Sequence, residues 1–344
     1  MKEEIMKEEM ITKKSLFNVN GDDSANSQSI INGNSTGICN LNNIRYKWVP
    51  KLYTIMLGNH WIPEKVNLQK DKMTIKLLTP EEDDALKKTL SFLIFLDSLQ
   101  VNNLPNIQEY ITDPSVNNLL VIQQFQEVIH SQSYQYILES LYPSFQREEI
   151  YNLWREHPLL LKRNSFIAKQ YEDFKNKPTK ESFFRVLLAN FLLESIYFYS
   201  GFNYFDQLAS RNKVIQTSKV IDYIRRDENT HVALFRNIMK ESYDISKYKD
   251  IIYEVIDEGV MQEIEWAQDN YGNRIMGISY ASSESHLKWL ANKRLQTLGL
   301  SPLYEGFDNN PYQHLEQKSR ENFFEAGAVT EYDRSESIQG WGGF

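Results

Sequence analysis

FQEVIHSQSY, residues 125–134, places Glu127 and His130 three positions apart, and RRDENTHVALF, residues 225–235, repeats the arrangement with Glu228 and His231. Residues i and i+3 lie on one face of an α-helix, so each pair points the same way. Each pair also sits in an apolar helical stripe. Leu120, Glu127, His130, Tyr134, Ile137 and Leu141 share one face of a helix expected over Asp113–Leu141. Val220, Ile224, Glu228, His231 and Phe235 stack on another over 216–241. Two further acids fall on apolar stripes: Asp97 in FLIFLDSLQ (92–100) and Glu194 in ANFLLESIYFYSGF (189–202).

A lone Glu-x-x-His is weak, and a lone histidine on an apolar face is usually a hydrogen-bonded core residue. Four acids aimed inward from four helices are harder to dismiss, because an unpaired buried charge is costly. Four carboxylates balance two divalent ions, and carboxylate with imidazole suits iron or manganese. Asp97, Glu127, His130, Glu194, Glu228 and His231 are therefore the candidate metal ligands, with Glu127 and Glu228 able to bridge. Tyr134, one turn beyond His130, reads either as a core aromatic or as a one-electron donor to an oxidised metal pair.

The rest of the chain fits an all-α protein. It has 344 residues, with only 14 Gly and 10 Pro, which favours long helices over turn-rich β-structure. The first strong helix opens at Thr79-Pro80-Glu81-Glu82, with the capping-box spacing. A third amphipathic helix is expected over 147–175, a fourth from Thr179 past Gly201 with Gly201 as a kink, and two more over 245–270 and 279–298. Residues 1–40 are polar and expected to be disordered. The helical metal domain is expected over 41–320, and 321–344 is expected to be a flexible tail ending in aromatics.

The net charge of −8 and the lack of a basic stripe argue against a nucleic-acid partner. No apolar run is long enough for a membrane span, and the charged start lacks a signal core, so a cytoplasmic location is expected. The single cysteine, Cys39, suits a reducing compartment and excludes a dithiol redox centre within the chain.

EVIHSQSY, LLESIYFYSGF and RRDENTHVALF resemble the ligand helices of the small, radical-generating subunit of class I ribonucleotide reductase. NHWIPEKVNLQKD, FLDSLQ, NPYQHLEQ and ENFFE match in the same order, so the resemblance spans about residues 44–332. It implies a ferritin-like helical bundle with additional helices, forming a homodimer. The six ligands above would hold a dinuclear centre of two iron ions, with Mn/Mn or Mn/Fe as alternatives. Tyr134 would carry the radical. Trp61, linked through Asp227 to His130, and Tyr332 in the tail would relay it. The tail, with Trp341 and Phe344, would dock on the large catalytic subunit, which reduces ribonucleotides to deoxyribonucleotides. The same metal cage could instead serve a ligand-binding oxidase of this superfamily acting without a large subunit, or a storage protein.

Overall fold

In a computed structural model describing residues 9–315, the chain folds as helices, with no β-strand among the described residues. They are α1 (Val49–Gly58), α2 (Asp71–Thr74), α3 (Pro80–Gln108), α4 (Pro114–Leu141), α5 (Ser144–Glu156) and α6 (Pro158–Asn176). There follow α7 (Lys180–Leu192), a π-helical turn (Leu193–Tyr197), α8 (Phe198–Ala209), α9 (Ile215–Ser242), α10 (Lys249–Asn270) and α11 (Tyr280–Thr297).

Local chemistry sets the helix starts. The Thr79 hydroxyl accepts from the Glu82 N–H at 3.2 Å, and the Glu82 carboxylate accepts from the Thr79 N–H at 2.9 Å. That reciprocal cap opens α3 with Pro80 in its first turn. Asp113 caps α4 by accepting from the Ser115 and Val116 N–H groups at 2.9 and 3.0 Å. The start of α9 is capped from elsewhere in the chain. Asp71 accepts from the backbone N–H groups of Gln216 (3.2 Å) and Thr217 (2.6 Å), which ties the segment after Trp61 to α9.

α3, α4, the α7–π–α8 rod and α9 pack as the central four helices, with α1 across α4 and α9 and with α5, α6, α10 and α11 outside. Their facing sides carry fully buried aromatic and aliphatic side chains such as Leu90, Leu93, Leu120, Leu187 and Phe235. Each such side chain contributes about 1.5–3 kcal/mol by leaving water.

Three details differ from the sequence reading. The helix expected over 147–175 is two helices, because Pro158 pushes His157 into an extended conformation (φ −83°, ψ 120°) between α5 and α6. The helix expected to kink at Gly201 is instead interrupted earlier, by the π turn around Glu194. Gly201 serves close packing: a Cβ there would meet the Phe92 ring at 2.6 Å. The expectation of disorder up to residue 40 is also corrected for residues 9–40. Ile11, Ile30 and Ile31 are buried, and the chain is held by Ile11 N–H to Pro178 C=O (3.0 Å) and Thr112 N–H to Ile30 C=O (2.7 Å). Few apolar residues suffice there because backbone groups of the helical domain supply partners. No helix among the described residues is long and apolar enough to cross a membrane.

Candidate dinuclear metal centre

Asp97 from α3, Glu127 and His130 from α4, Glu194 from the π turn, and Glu228 and His231 from α9 converge, all at 0% exposure. They form two groups: Asp97, Glu127, His130 and Glu228, and Glu127, Glu194, Glu228 and His231. Within each group one ligand-type atom from every residue lies within 4.8 Å of the others. Glu127 and Glu228 belong to both groups. The π turn adds a residue to one helical turn and so re-aims Glu194, a use to which such turns are often put.

Both imidazoles face inward through Nδ1. His130 Nδ1 lies 3.2 Å from Glu127 Oε2, 3.2 Å from Glu228 Oε1 and 3.7 Å from Asp97 Oδ2. His231 Nδ1 lies 2.7 Å from Glu228 Oε2, 3.3 Å from Glu127 Oε1 and 3.5 Å from Glu194 Oε2. The outer nitrogens have separate partners. His130 Nε2 meets Asp227 Oδ2 at 3.3 Å, and the Trp61 indole N–H donates to the same oxygen at 2.9 Å. His231 Nε2 meets Gln126 Oε1 at 3.0 Å.

The residues fit a pair of cations. Both oxygens of Asp97, Glu194 Oε2 and Glu228 Oε1 are buried with no hydrogen-bond donor. Burial, then the neighbouring Glu127 charge, raises Asp97 well above the carboxylate range. Burial and the Glu228 charge do the same to Glu194, and burial with the Glu127 charge pushes Glu228 up to about 8. Burial also works against Glu127, but the His231 and His130 charges hold it below its ordinary value. For His130, burial opposes protonation, yet Glu228 and Asp227 outweigh it and lift the imidazole well above its usual value. Crowded buried acids around a proton-hungry histidine are a donor set whose charge two cations would balance. Oxygen-rich ligation with two imidazoles and no thiolate matches iron or manganese. Cys39 lies apart and exposed.

Tyr134 is 1% exposed, and its hydroxyl faces Asp97 without a well-formed hydrogen bond. Burial, then the Asp97 and Glu228 charges, holds the phenol well above its ordinary pKa. Trp61 is buried and stacks on Tyr223, with centroids 5.0 Å apart. Tyr332, Trp341 and Phe344 lie outside the described residues.

The sequence reading missed an outer layer of glutamines. Gln100 and Gln123 donate to Glu194 Oε1, the latter at 3.0 Å, and Tyr171 OH donates to Gln100 Oε1 at 2.9 Å. A signal existed. Gln100 follows Asp97 by three positions and Gln123 precedes Glu127 by four, so both share the ligands' stripe.

Comparison with known proteins agrees with this geometry. The family described as "Ribonucleotide reductase, small chain" matches residues 38–311. The ribonucleoside-diphosphate reductase subunit beta of Treponema pallidum is 38% identical, over 96% of this chain and 97% of its own length. The R2 subunit structure from Clostridium botulinum superposes with a TM-score of 0.84 at 43% identity, covering 90% of this chain and 99% of that one. A dimanganese(II)-NrdF from Streptococcus sanguinis shares the fold at 22% identity and a TM-score of 0.71, over 82% of this chain and 98% of that one. The chain belongs to the ribonucleotide reductase small-chain family.

Proposed function

We propose that this chain is the radical-generating small subunit of a ribonucleoside-diphosphate reductase, with Tyr134 as the radical residue. The observation that carries the reading is the continuous Trp61–Asp227–His130 hydrogen-bonded chain, which runs into a two-ion site one helical turn from a buried phenol beside Asp97. Asp97, Glu127, His130, Glu194, Glu228 and His231 would hold the ions. Bound there, the metal pair supplies the one-electron oxidising power, taken from oxygen or a reduced oxygen species, that a phenol requires. We take two iron ions as the resident pair, with Mn/Mn and Mn/Fe as the alternatives that metal analysis separates.

The protein's own groups have defined tasks. Tyr134 keeps its proton at neutral pH, as any phenol does and with its pKa raised further, so losing an electron requires losing the proton too. Asp97, the carboxylate beside the hydroxyl, would take it. Burial of the ring keeps water and reductants away. Asp227 holds the outer nitrogen of His130 and the Trp61 indole together, so an electron can move toward the centre with its proton handled along hydrogen bonds. Tyr332 would continue that route in the C-terminal tail, through which the chain would dock on the large subunit.

A separate catalytic subunit is needed because substrate reduction requires several thiols and this chain has only Cys39. Self-association would use the exposed apolar residues Val121, Phe125 and Val128 on α4, beside Ile55 and Leu57 of α1. The test is to load the protein with iron or manganese, add a large subunit and a ribonucleoside diphosphate, and measure deoxyribonucleotide. Product formation is expected. No product under any loading, together with oxidation of a small substrate by the chain alone, would favour the stand-alone oxidase. Uptake of many ions per chain would favour storage.

A further inference from the structure

We propose that Gln100, Gln123 and Gln126 form a neutral amide clamp that positions Glu194 and His231, so that one ion subsite is fixed independently of the other. This rests on the two-ion reading above. All three side chains are buried, at 0%, 0% and 4% exposure.

A partner on the far side sets which way two of these amides point. The Gln126 amide N–H donates to the Met56 carbonyl at 3.3 Å, so its own carbonyl must face His231. A carbonyl can only accept, so His231 Nε2 carries a proton, and Nδ1 is the nitrogen left facing the carboxylates, its lone pair available to an ion once the ring is neutral. Gln100 accepts from the Tyr171 hydroxyl, so its amide N–H must face Glu194. Gln123 directs its amide N–H between Glu127 Oε1 (3.2 Å) and Glu194 Oε1 (3.0 Å). Two donors thus occupy Glu194 Oε1, whereas Oε2 has none. The clamp leaves Oε2 as the ion-binding atom of Glu194.

The other end is built differently. Among the described residues no amide donates to Asp97, and the outer nitrogen of His130 meets the Asp227 carboxylate rather than an amide. A carboxylate partner makes an imidazole a stronger donor than a neutral amide does. The Asp97–His130 and Glu194–His231 ends are therefore inequivalent, and Gln126 is a positioning residue for the second alone.

The test titrates metal-free, full-length protein with Mn(II) under anaerobic conditions and reads free Mn(II) by electron paramagnetic resonance. Wild type should take two ions per chain. Gln126→Met should keep one and weaken the other by about 10–100-fold. Gln126→Glu, which still offers an acceptor to His231 Nε2–H but loses the donor to Met56, should restore part of that loss. If Gln126→Met proves unfolded by circular dichroism, Gln100→Met, which removes one donor to Glu194, should weaken the same single ion. Equal weakening of both ions, or of neither, in a folded variant overturns the clamp. Failure of wild type to take two ions overturns the two-ion reading itself, and the clamp with it.

Discussion

Replacing Tyr134 with Phe separates chemistry from folding. The Tyr134 hydroxyl is buried beside Asp97 and Glu228, close enough to feel the Asp97 carboxylate but without a well-formed hydrogen bond to it. A buried polar group left unsatisfied costs about 1–3 kcal/mol, and Phe removes it while keeping the ring. The void left by one oxygen forfeits some dispersion contacts and gives back part of the gain. Metal-free Tyr134→Phe should therefore be as stable as wild type or up to about 2 kcal/mol more stable. The assay is guanidinium denaturation of both metal-free proteins, followed by ion uptake and turnover with a large subunit. Unchanged ion uptake with loss of deoxyribonucleotide formation is expected. A destabilisation beyond about 1 kcal/mol would mean that the hydroxyl holds the fold, and full turnover would remove the phenol from the reaction.

Other perturbations probe the frame around the site. Arg163 Nε donates to Glu263, and the guanidinium lies over Phe92 (4.3 Å) and Tyr197 (4.5 Å), with both charges buried. Arg163→Met strands Glu263 and should cost about 3–5 kcal/mol in a denaturant melt, part of it recovered on adding Glu263→Gln. Gly201→Ala pushes a methyl group into the Phe92 ring and should cost about 1–3 kcal/mol in the same melt. Burial, then the Arg294 and Arg225 charges, overcomes the Asn310 hydrogen bond and lowers His286 to about 4. The unfolded chain protonates this residue near pH 6.5 and the folded chain only near 4. His286 thus contributes full stability above pH 6.5 and loses about 3 kcal/mol of it as pH falls to 4. The stability difference between wild type and His286→Gln should shrink by that amount over the interval, and a flat difference would contradict the assignment.

What was legible in the sequence was whatever repeats with helical period or carries a charge where charge is costly. Glu127, His130, Glu228 and His231 announced themselves by spacing, and Asp97 and Glu194 by being acids on apolar stripes. The caps at Thr79 and Asp113 were equally local, and so readable. The break at Pro158 could have been read from the proline's effect on His157, but the continuing amphipathic pattern masked it. The π turn at Leu193–Tyr197 was not readable, since every residue in that run is apolar or buried and nothing marks the extra one. The glutamine layer escaped because neutral amides raise no alarm in an apolar stripe, and their roles depend on partners as distant in sequence as Glu194 and Met56. Residues 9–40 were read by composition alone, which does not count the backbone partners offered by Thr112 and Pro178. The tail position Tyr332 lies outside the described residues.

The most direct test of the central claim is anomalous X-ray diffraction from crystals of this protein loaded with iron or manganese, collected at each metal's edge. The account predicts two peaks, one ligated by His130 Nδ1 and Asp97, the other by His231 Nδ1 and Glu194, with Glu127 and Glu228 between them. A single peak, or ions held elsewhere while these six side chains pair only with one another, would contradict it.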